Sequence, residues 1–308
     1  MLFYYNHTFK NHEAFLQKAK MRVIKNMNKN LQVINNQSIV KKISIHLLLI
    51  IIAIGMIFPM FWMLLLSLKQ FPEGMSGMLE ILTSKYSLSN YSNVFISDSF
   101  VRYFINSVFV ATVVTVCNIL FCSMTGYVLS RKSFFGKNIL FATVLGLLII
   151  PAHIVMIPLY KIMVTFNWIN TYWALIIPWL ISPFGVFLVK QYIDSLPHQI
   201  EDAARIDGAS EWYIFFKIVL PLCKPILTVL AIYIFINNWN SFLFPFLFTN
   251  SAKYSTLPVG LTFYLGKQSI DWGHLMAGAS ISALPILLLF VFFQKKIIQG
   301  LTSGALKE

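Results

Sequence analysis

Residues 195–225 hold the densest run of carboxylates in a chain that has only 11 acidic residues among 308. Two neighbouring acids are followed by alanines, a further acid and a glycine, so the segment is charged and thin on one side. Such a surface suits insertion into a groove on another protein, where carboxylates can meet basic groups. The candidate docking residues are Glu201, Asp202, Ala203, Ala204, Asp207, Gly208, Ala209 and Pro221.

The order of residues in this segment predicts two short helices at an angle. Ser195 ahead of Pro197 is typical of a helix start, and Gly208 accepts the left-handed backbone of a C-terminal cap. Ser210 can then cap a second helix that runs toward Pro221. The alternative interpretation is a helical hairpin that only connects two membrane spans.

The spacing within this segment resembles the cytoplasmic signature loop of ABC-importer permeases. That loop has an acid, two alanines, three residues, a glycine, nine residues, an isoleucine, one residue and Leu-Pro. The matching positions are Asp202, Ala203, Ala204, Gly208, Ile218, Leu220 and Pro221. The family usually has glutamate where Asp202 stands, so the charge is kept on a shorter side chain.

The resemblance extends from about residue 100 onward, where the chain is similar to the core of the maltose-type carbohydrate permeases. It implies a MetI-like permease core whose loop around 195–225 carries a coupling helix that docks on an ATPase. The implied partners are a second homologous permease, two ABC ATPase subunits and an extracytoplasmic solute-binding protein, with membrane lipid around them. ATP and Mg²⁺ would bind to the partner ATPase, and no cofactor is expected on this chain.

A second group of polar residues lies in apolar segments and could line a translocation pathway. Uncharged polar side chains are costly in hydrocarbon, so they should face a cavity or another helix. Amides beside aromatic rings suit the mixed polar and apolar surface of a sugar, and bonding between helices is an equally good explanation. The candidates are Asn106, Asn118, Asn237, Asn238, Trp239 and Asn240.

Catalytic and metal-binding chemistry is not indicated by the sequence. The six histidines are scattered and show no metal-ligand spacing, and no phosphate-binding loop is complete. We therefore expect a non-enzymatic subunit without a metal site, with ATP hydrolysis on separate subunits. The alternative function is an ion-driven secondary transporter of a small polar solute, although no span contains the acidic residue that proton coupling would require.

The composition predicts an all-α integral membrane protein. Hydrophobic residues make up 57% of the chain and charged residues 11%, with a mean hydropathy of +0.71. A soluble domain would carry about a quarter charged residues. The net charge of +13 does not indicate nucleic-acid binding, because the basic residues flank apolar segments as topology signals do.

Six transmembrane helices are predicted, at 43–67, 103–129, 139–163, 172–190, 226–248 and 275–294, each near the length that a bilayer requires. Prolines within the third and fourth should kink them and leave carbonyls that neighbours must satisfy. The predicted regions are a basic cytoplasmic tail (1–42), the first helix with an outer loop (43–99), the permease core (100–300) and a cytoplasmic C-terminal tail (301–308).

The basic residues also predict the orientation. Only six of the 24 lysines and arginines fall outside the segments placed in the cytoplasm when both termini lie inside. Together with this orientation, the resemblance implies a permease subunit of an ABC importer in the plasma (inner) membrane of a prokaryote. Its solute could be a sugar, an oligosaccharide, a polyol or a glycerol-phosphate ester.

Overall fold

The computed structural model describes residues 41–69, 83, 85–96, 99–266 and 270–305, with side chains described as far as residue 294. Nearly all of the predicted basic tail and the last three residues lie outside this part. Regular structure in the described part is helical, apart from an isolated bridge between Lys69 and Tyr86. The fold is therefore that of an all-α protein, as predicted.

The helices are α1 (Lys41–Ser67), α2 (Ser89–Ile96), α3 (Phe100–Arg131), α4 (Lys137–Ile149), α5 (Met156–Thr165), α6 (Tyr172–Ile176), α7 (Pro183–Asp194), α8 (Gln199–Ile206), α9 (Glu211–Leu222), α10 (Lys224–Trp239), α11 (Leu243–Phe248), α12 (Leu257–Leu261) and α13 (Trp272–Ala305). Residues 1–62 and 63–308 form separate compact units. The described part of the first unit is a helix whose apolar side chains are exposed, as lipid contact requires.

Four helical segments are long and apolar enough to cross a membrane: α1, α3, Tyr172–Asp194 and Trp272–Gln294. The bent pair of α9 and α10, which meet at 76°, makes a fifth if it is one span. The prediction of a single helix over 139–163 is wrong, because α4 and α5 are separated by non-helical backbone around Pro151. The predicted helix over 226–248 likewise ends at Trp239, and α11 follows separately.

Helix α3 is the centre of the core and packs mainly against α7 and α10. The close approach to α7 depends on small residues. A Cβ atom added to Gly185 would lie 2.7 Å from the Sγ atom of Cys122, and one added to Gly126 would lie 3.0 Å from the backbone nitrogen of Lys190. Glycines thus allow the two helices to pack backbone against backbone, as is common in membrane proteins.

The segment Tyr172–Asp194 is interrupted between Trp179 and Pro183, and α3 satisfies the carbonyls that the interruption leaves free. Asn118 donates its Nδ2 hydrogen to the carbonyl of Trp179 at 2.5 Å. The Cys122 thiol lies 3.5 Å from the carbonyl of Ser182. The expectation that prolines would free carbonyls for neighbouring side chains is confirmed here.

Replacing Gly185 by valine should destabilise the protein by about 1–3 kcal/mol, because the new side chain overlaps Cys122. The midpoint of thermal unfolding in detergent, followed by tryptophan fluorescence, measures this effect. Gly146→Val is the matched control, since nothing lies within 4 Å of a Cβ at that position of α4. Equal unfolding midpoints for the two variants would contradict the close packing of α3 and α7.

Candidate functional site

The predicted docking segment folds as two helices joined by a tight turn, and we call residues 199–222 the elbow. Helix α8 is its first arm and α9 its second arm. Helix α8 ends before Gly208, which has a φ of +81°, so the predicted left-handed cap is confirmed. The Ser210 hydroxyl accepts a hydrogen bond from the Tyr213 amide at 3.3 Å and caps α9, also as predicted. The second arm contains a π-helical segment, Ile214–Val219, before it reaches Leu222.

The predicted start of the first arm is wrong. Ser195 does not cap α8, because its hydroxyl donates backward to the carbonyl of Tyr192 and so closes the preceding helix. Helix α8 instead begins at Gln199. A serine before a proline is therefore not sufficient to mark a helix start when the hydroxyl can bond to its own upstream turn.

Glu201 faces the interior, where it forms an ion pair with Arg131, the last residue of α3. The Arg131 Nε atom lies 2.6 Å from the Glu201 Oε1 atom, and the two side chains are only 2% and 4% exposed. The other guanidinium nitrogens lie 3.0 Å from His198 Nε2 and 2.9 Å from the carbonyl oxygen of Leu196. Arg131 thus holds the approach to the elbow at three points.

The second arm is attached to the same end of α3 through Glu211. Its carboxylate lies 2.7 Å from the Lys132 Nζ atom and 3.1 Å from the Arg205 Nε atom. The Tyr127 hydroxyl lies 3.1 Å from Glu211 and 3.3 Å from Glu201. The hydrogen bond to Glu211 raises the pKa of Arg205 above its usual range, so this guanidinium stays charged.

The opposite side of the elbow faces outward and combines charge with apolar surface. The Asp202 side chain is 61% exposed, and its ion pair among the described residues is with Arg205 of the same helix, at 2.8 Å. Ile206 is 86% exposed and Trp212 is 63% exposed, so large apolar side chains lie uncovered on this side of the elbow. Of the other candidates, Ala203, Asp207, Gly208 and Pro221 are exposed, whereas Ala204 and Ala209 are half-buried.

Sequence reasoning missed the side of the site that α3 contributes. Arg131 and Lys132 were interpreted only as topology charges, and Tyr127 was not considered. The sole signal in the sequence is that a tyrosine, an arginine and a lysine fall within the stretch 127–132, at the polar end of a long apolar helix. Their partners lie 65 or more residues away, so spacing alone could not pair them.

A second site is a cavity of about 470 Å³ between α3, the interruption of Tyr172–Asp194 and the end of α10. Asn118, Asn237 and Asn238 lie together in its wall, beside the rings of Trp179 and Phe244. The two ring centroids are 4.8 Å apart in an edge-to-face arrangement. Three of the six predicted pathway residues are thus brought together.

Several polar groups in this wall have no partner within the described part of the chain. The side chains of Asn238 and Ser241 make no hydrogen bond there, and Asn237 only donates to the carbonyl of Tyr233 at 2.8 Å. Asn237 is exposed and Asn238 and Ser241 are half-buried, so water or a solute can reach these groups. The cavity therefore presents free amide and hydroxyl groups to whatever enters it.

The other three predicted residues are used differently. Asn106 is fully buried, donates to the carbonyls of Lys253 and Ser255, and accepts from Tyr172, so its side chain joins segments of the fold. Trp239 is buried, and its indole nitrogen donates to the carbonyl of Ser282 at 3.1 Å. Asn240 is exposed at the end of α10 and does not line the cavity.

The cavity wall contains no charged side chain. Among the described residues, no group of three or more His, Cys, Asp or Glu side chains could hold a metal ion. The described lining of the cavity can therefore offer a solute hydrogen bonds and contacts with aromatic rings.

Comparisons with known proteins agree on one family. Residues 118–303 match the family described as "Binding-protein-dependent transport system inner membrane component". The chain is 39% identical to the arabinooligosaccharides transport system permease protein AraQ of Halalkalibacterium halodurans, over 83% of this chain and 93% of that protein. It is 35% identical to the trehalose/maltose transport system permease protein MalG of Thermococcus litoralis, over 88% and 99%.

A solved structure has the same fold. It is the crystal structure of a bacterial ABC transporter involved in the import of the acidic polysaccharide alginate, and it aligns with a TM-score of 0.75 at 21% sequence identity. The alignment covers 83% of this chain and 96% of that one. The helical architecture described above is therefore shared with a chain of that transporter.

Replacing Gly208 by valine should strain the turn between the arms by about 1–2 kcal/mol, because a β-branched residue disfavours a positive φ. Hydrogen–deuterium exchange of amides 199–222 should then be about tenfold faster. Gly208→Asn is the control, since asparagine tolerates this backbone. No atom lies within 4 Å of the added Cβ, so a steric clash does not contribute. Identical exchange rates in Gly208→Val and Gly208→Asn would contradict the need for a left-handed backbone at residue 208.

Proposed function

The chain belongs to the family of binding-protein-dependent transport system inner membrane components and is a permease subunit of an ABC importer, and we propose that it carries a neutral oligosaccharide through the cavity beside Asn118. The observation that carries the proposal is the wall of that cavity. It combines two edge-to-face rings with amide and hydroxyl groups that lack partners among the described residues.

The chemistry of the wall fits a sugar. Aromatic rings pack against the apolar faces of sugar rings, while amides can both donate to and accept from hydroxyl groups. The wall holds no lysine or arginine to balance a phosphate or carboxylate, which favours a neutral solute over a glycerol-phosphate ester. The named relatives transport arabinooligosaccharides and trehalose or maltose, which are uncharged sugars of short length.

We further propose that the elbow docks on an ABC ATPase subunit on the cytoplasmic side. The support is its exposed surface, in which an apolar side chain, Ile206, stands beside the exposed carboxylates of Asp202 and Asp207. ATP and Mg²⁺ bind to the ATPase in this proposal, and the present chain carries no cofactor. The assembly also includes a second homologous permease, a second ATPase and an extracytoplasmic solute-binding protein.

The proposed topology has six crossings and both termini in the cytoplasm of a prokaryote. Helices α4 and α5 together form one interrupted crossing, and α10 with α11 forms another. Each of these four helices is by itself too short to cross a bilayer core of about 30 Å. The interruptions are compatible with lipid where the irregular backbone lines a cavity, as Ala152 does here.

Uptake into proteoliposomes tests the function. The complete assembly should accumulate a radiolabelled neutral oligosaccharide only when ATP and the solute-binding protein are present. An ionophore that collapses ion gradients should leave the rate unchanged. Inhibition by the ionophore at constant ATP would instead support the ion-driven secondary transporter, which the family membership disfavours.

Asn238→Leu should lower sugar uptake about fivefold, because a leucine cannot replace a hydrogen bond worth about 1 kcal/mol. Basal ATP hydrolysis should remain. Asn240→Leu is the matched control, since this asparagine lies two residues further along α10 and outside the cavity wall. Uptake by Asn238→Leu at the control's rate would contradict the assignment of the cavity as the pathway.

Ile206→Asp should weaken the attachment of the ATPase, since truncating an apolar anchor and adding charge typically costs about 2 kcal/mol or more. The measurement is the yield of ATPase that co-purifies with the permease. Phe135→Asp serves as the control, because Phe135 is fully exposed in the loop after α3 but lies outside the elbow. Equal yields for the two variants would exclude the elbow as the docking surface.

A further inference from the structure

The attachment of the elbow to α3 rests on a buried arginine whose polar contacts in the structure all lie in the elbow or the residues leading into it. Arg131 contacts the Leu196 carbonyl, the His198 ring and the Glu201 carboxylate, at 2.9, 3.0 and 2.6 Å. These three points span the approach to α8 and its first turn. A guanidinium presents its donors in a fixed planar fork, so three contacts define both the position and the direction of the segment.

The other end of the same helix segment reaches the cavity. Asn118 and Arg131 lie on one uninterrupted α-helix, Phe100–Arg131, and are separated by about 20 Å along its axis. Asn118 lines the cavity and holds the Trp179 carbonyl at the interruption of the neighbouring span. Helix α3 is therefore connected by directed polar contacts to the elbow at its C-terminal end and to the cavity wall at its middle.

We propose that Arg131 and Glu201 are positioning residues that fix the elbow to α3 as a rigid joint, so that movement of the elbow displaces the cavity wall. The inference rests on the proposed docking of the elbow and adds the route by which the displacement travels. A contiguous chain of packed contacts is the physical requirement for such coupling. Glu201 is accordingly a residue of the joint, whereas Asp202 and Ile206 form the exposed surface.

The buried charges allow a decisive design of variants. Arg131→Met alone removes the shorter ion pair of the buried Glu201 carboxylate and leaves it the longer one, with Arg205 at 3.5 Å, so loss of stability is expected from that variant whatever its role. The double variant R131M/E201M removes both charges, and two apolar side chains of similar length can restore packing. A purely structural role predicts that stability and coupling recover together, whereas a joint predicts that stability alone recovers.

The first measurement is the amount of oligosaccharide transported per ATP hydrolysed by the reconstituted assembly. For R131M/E201M this ratio should fall about fivefold or more, with the ATPase still attached and the unfolding midpoint near that of the wild type. Lys137→Met is the matched control, because it removes a charge near the same end of α3 whose hydrogen bond, to the Ser130 carbonyl at 3.3 Å, does not involve the elbow. A wild-type ratio in the stable double variant would overturn the proposal.

The second measurement does not depend on transport. Hydrogen–deuterium exchange of amides 199–207 should be about tenfold faster in R131M/E201M than in Lys137→Met, because the first arm is released from α3. Unchanged exchange would overturn the joint even if the importer works as proposed. Failure of the wild-type assembly to take up any neutral oligosaccharide would instead refute the proposed function, and the exchange result would still decide the role of Arg131.

Discussion

Lipid supplies no partner for a backbone carbonyl, so each interruption of a membrane helix must be satisfied by the protein itself. This constraint acts between Trp179 and Pro183, where Asn118 and Cys122 of α3 provide the donors. The solution requires α3 to lie in close contact with α7, which Gly185 allows. The position of α3 in turn places its polar end beside the elbow and its middle beside the cavity.

The sequence predicted the elbow well where the signal is local. The left-handed turn at Gly208 and the cap at Ser210 follow from residue types that favour these conformations over a few positions. The inward orientation of Glu201 could not be predicted, because its partner Arg131 is 70 residues away. Ser195 misled the prediction since its hydroxyl has two possible partners of similar energy, and only the fold selects between them.

In the membrane segments, too, local features could be predicted from the sequence and features that depend on distant residues could not. Apolar length predicted α1 and α3, but it could not show that the segment around Pro151 breaks into two helices. Among the polar candidates, Asn106 and Asn238 look equivalent in the sequence. One is satisfied by carbonyls of a distant loop, whereas the other faces a cavity, and only the folded chain distinguishes them.

Tyr127 shows how the two arms of the elbow are linked chemically. Its hydroxyl has a single proton, yet two carboxylates, Glu201 and Glu211, lie within 3.3 Å and 3.1 Å of it. The proton serves only one of them at any instant. The ion pairs of Glu201 with Arg131 and of Glu211 with Lys132 hold the two acceptors in place around it. A single phenol thus joins the two arms at the point where α3 ends, and replacing it by phenylalanine would leave each arm attached to α3 by charge alone.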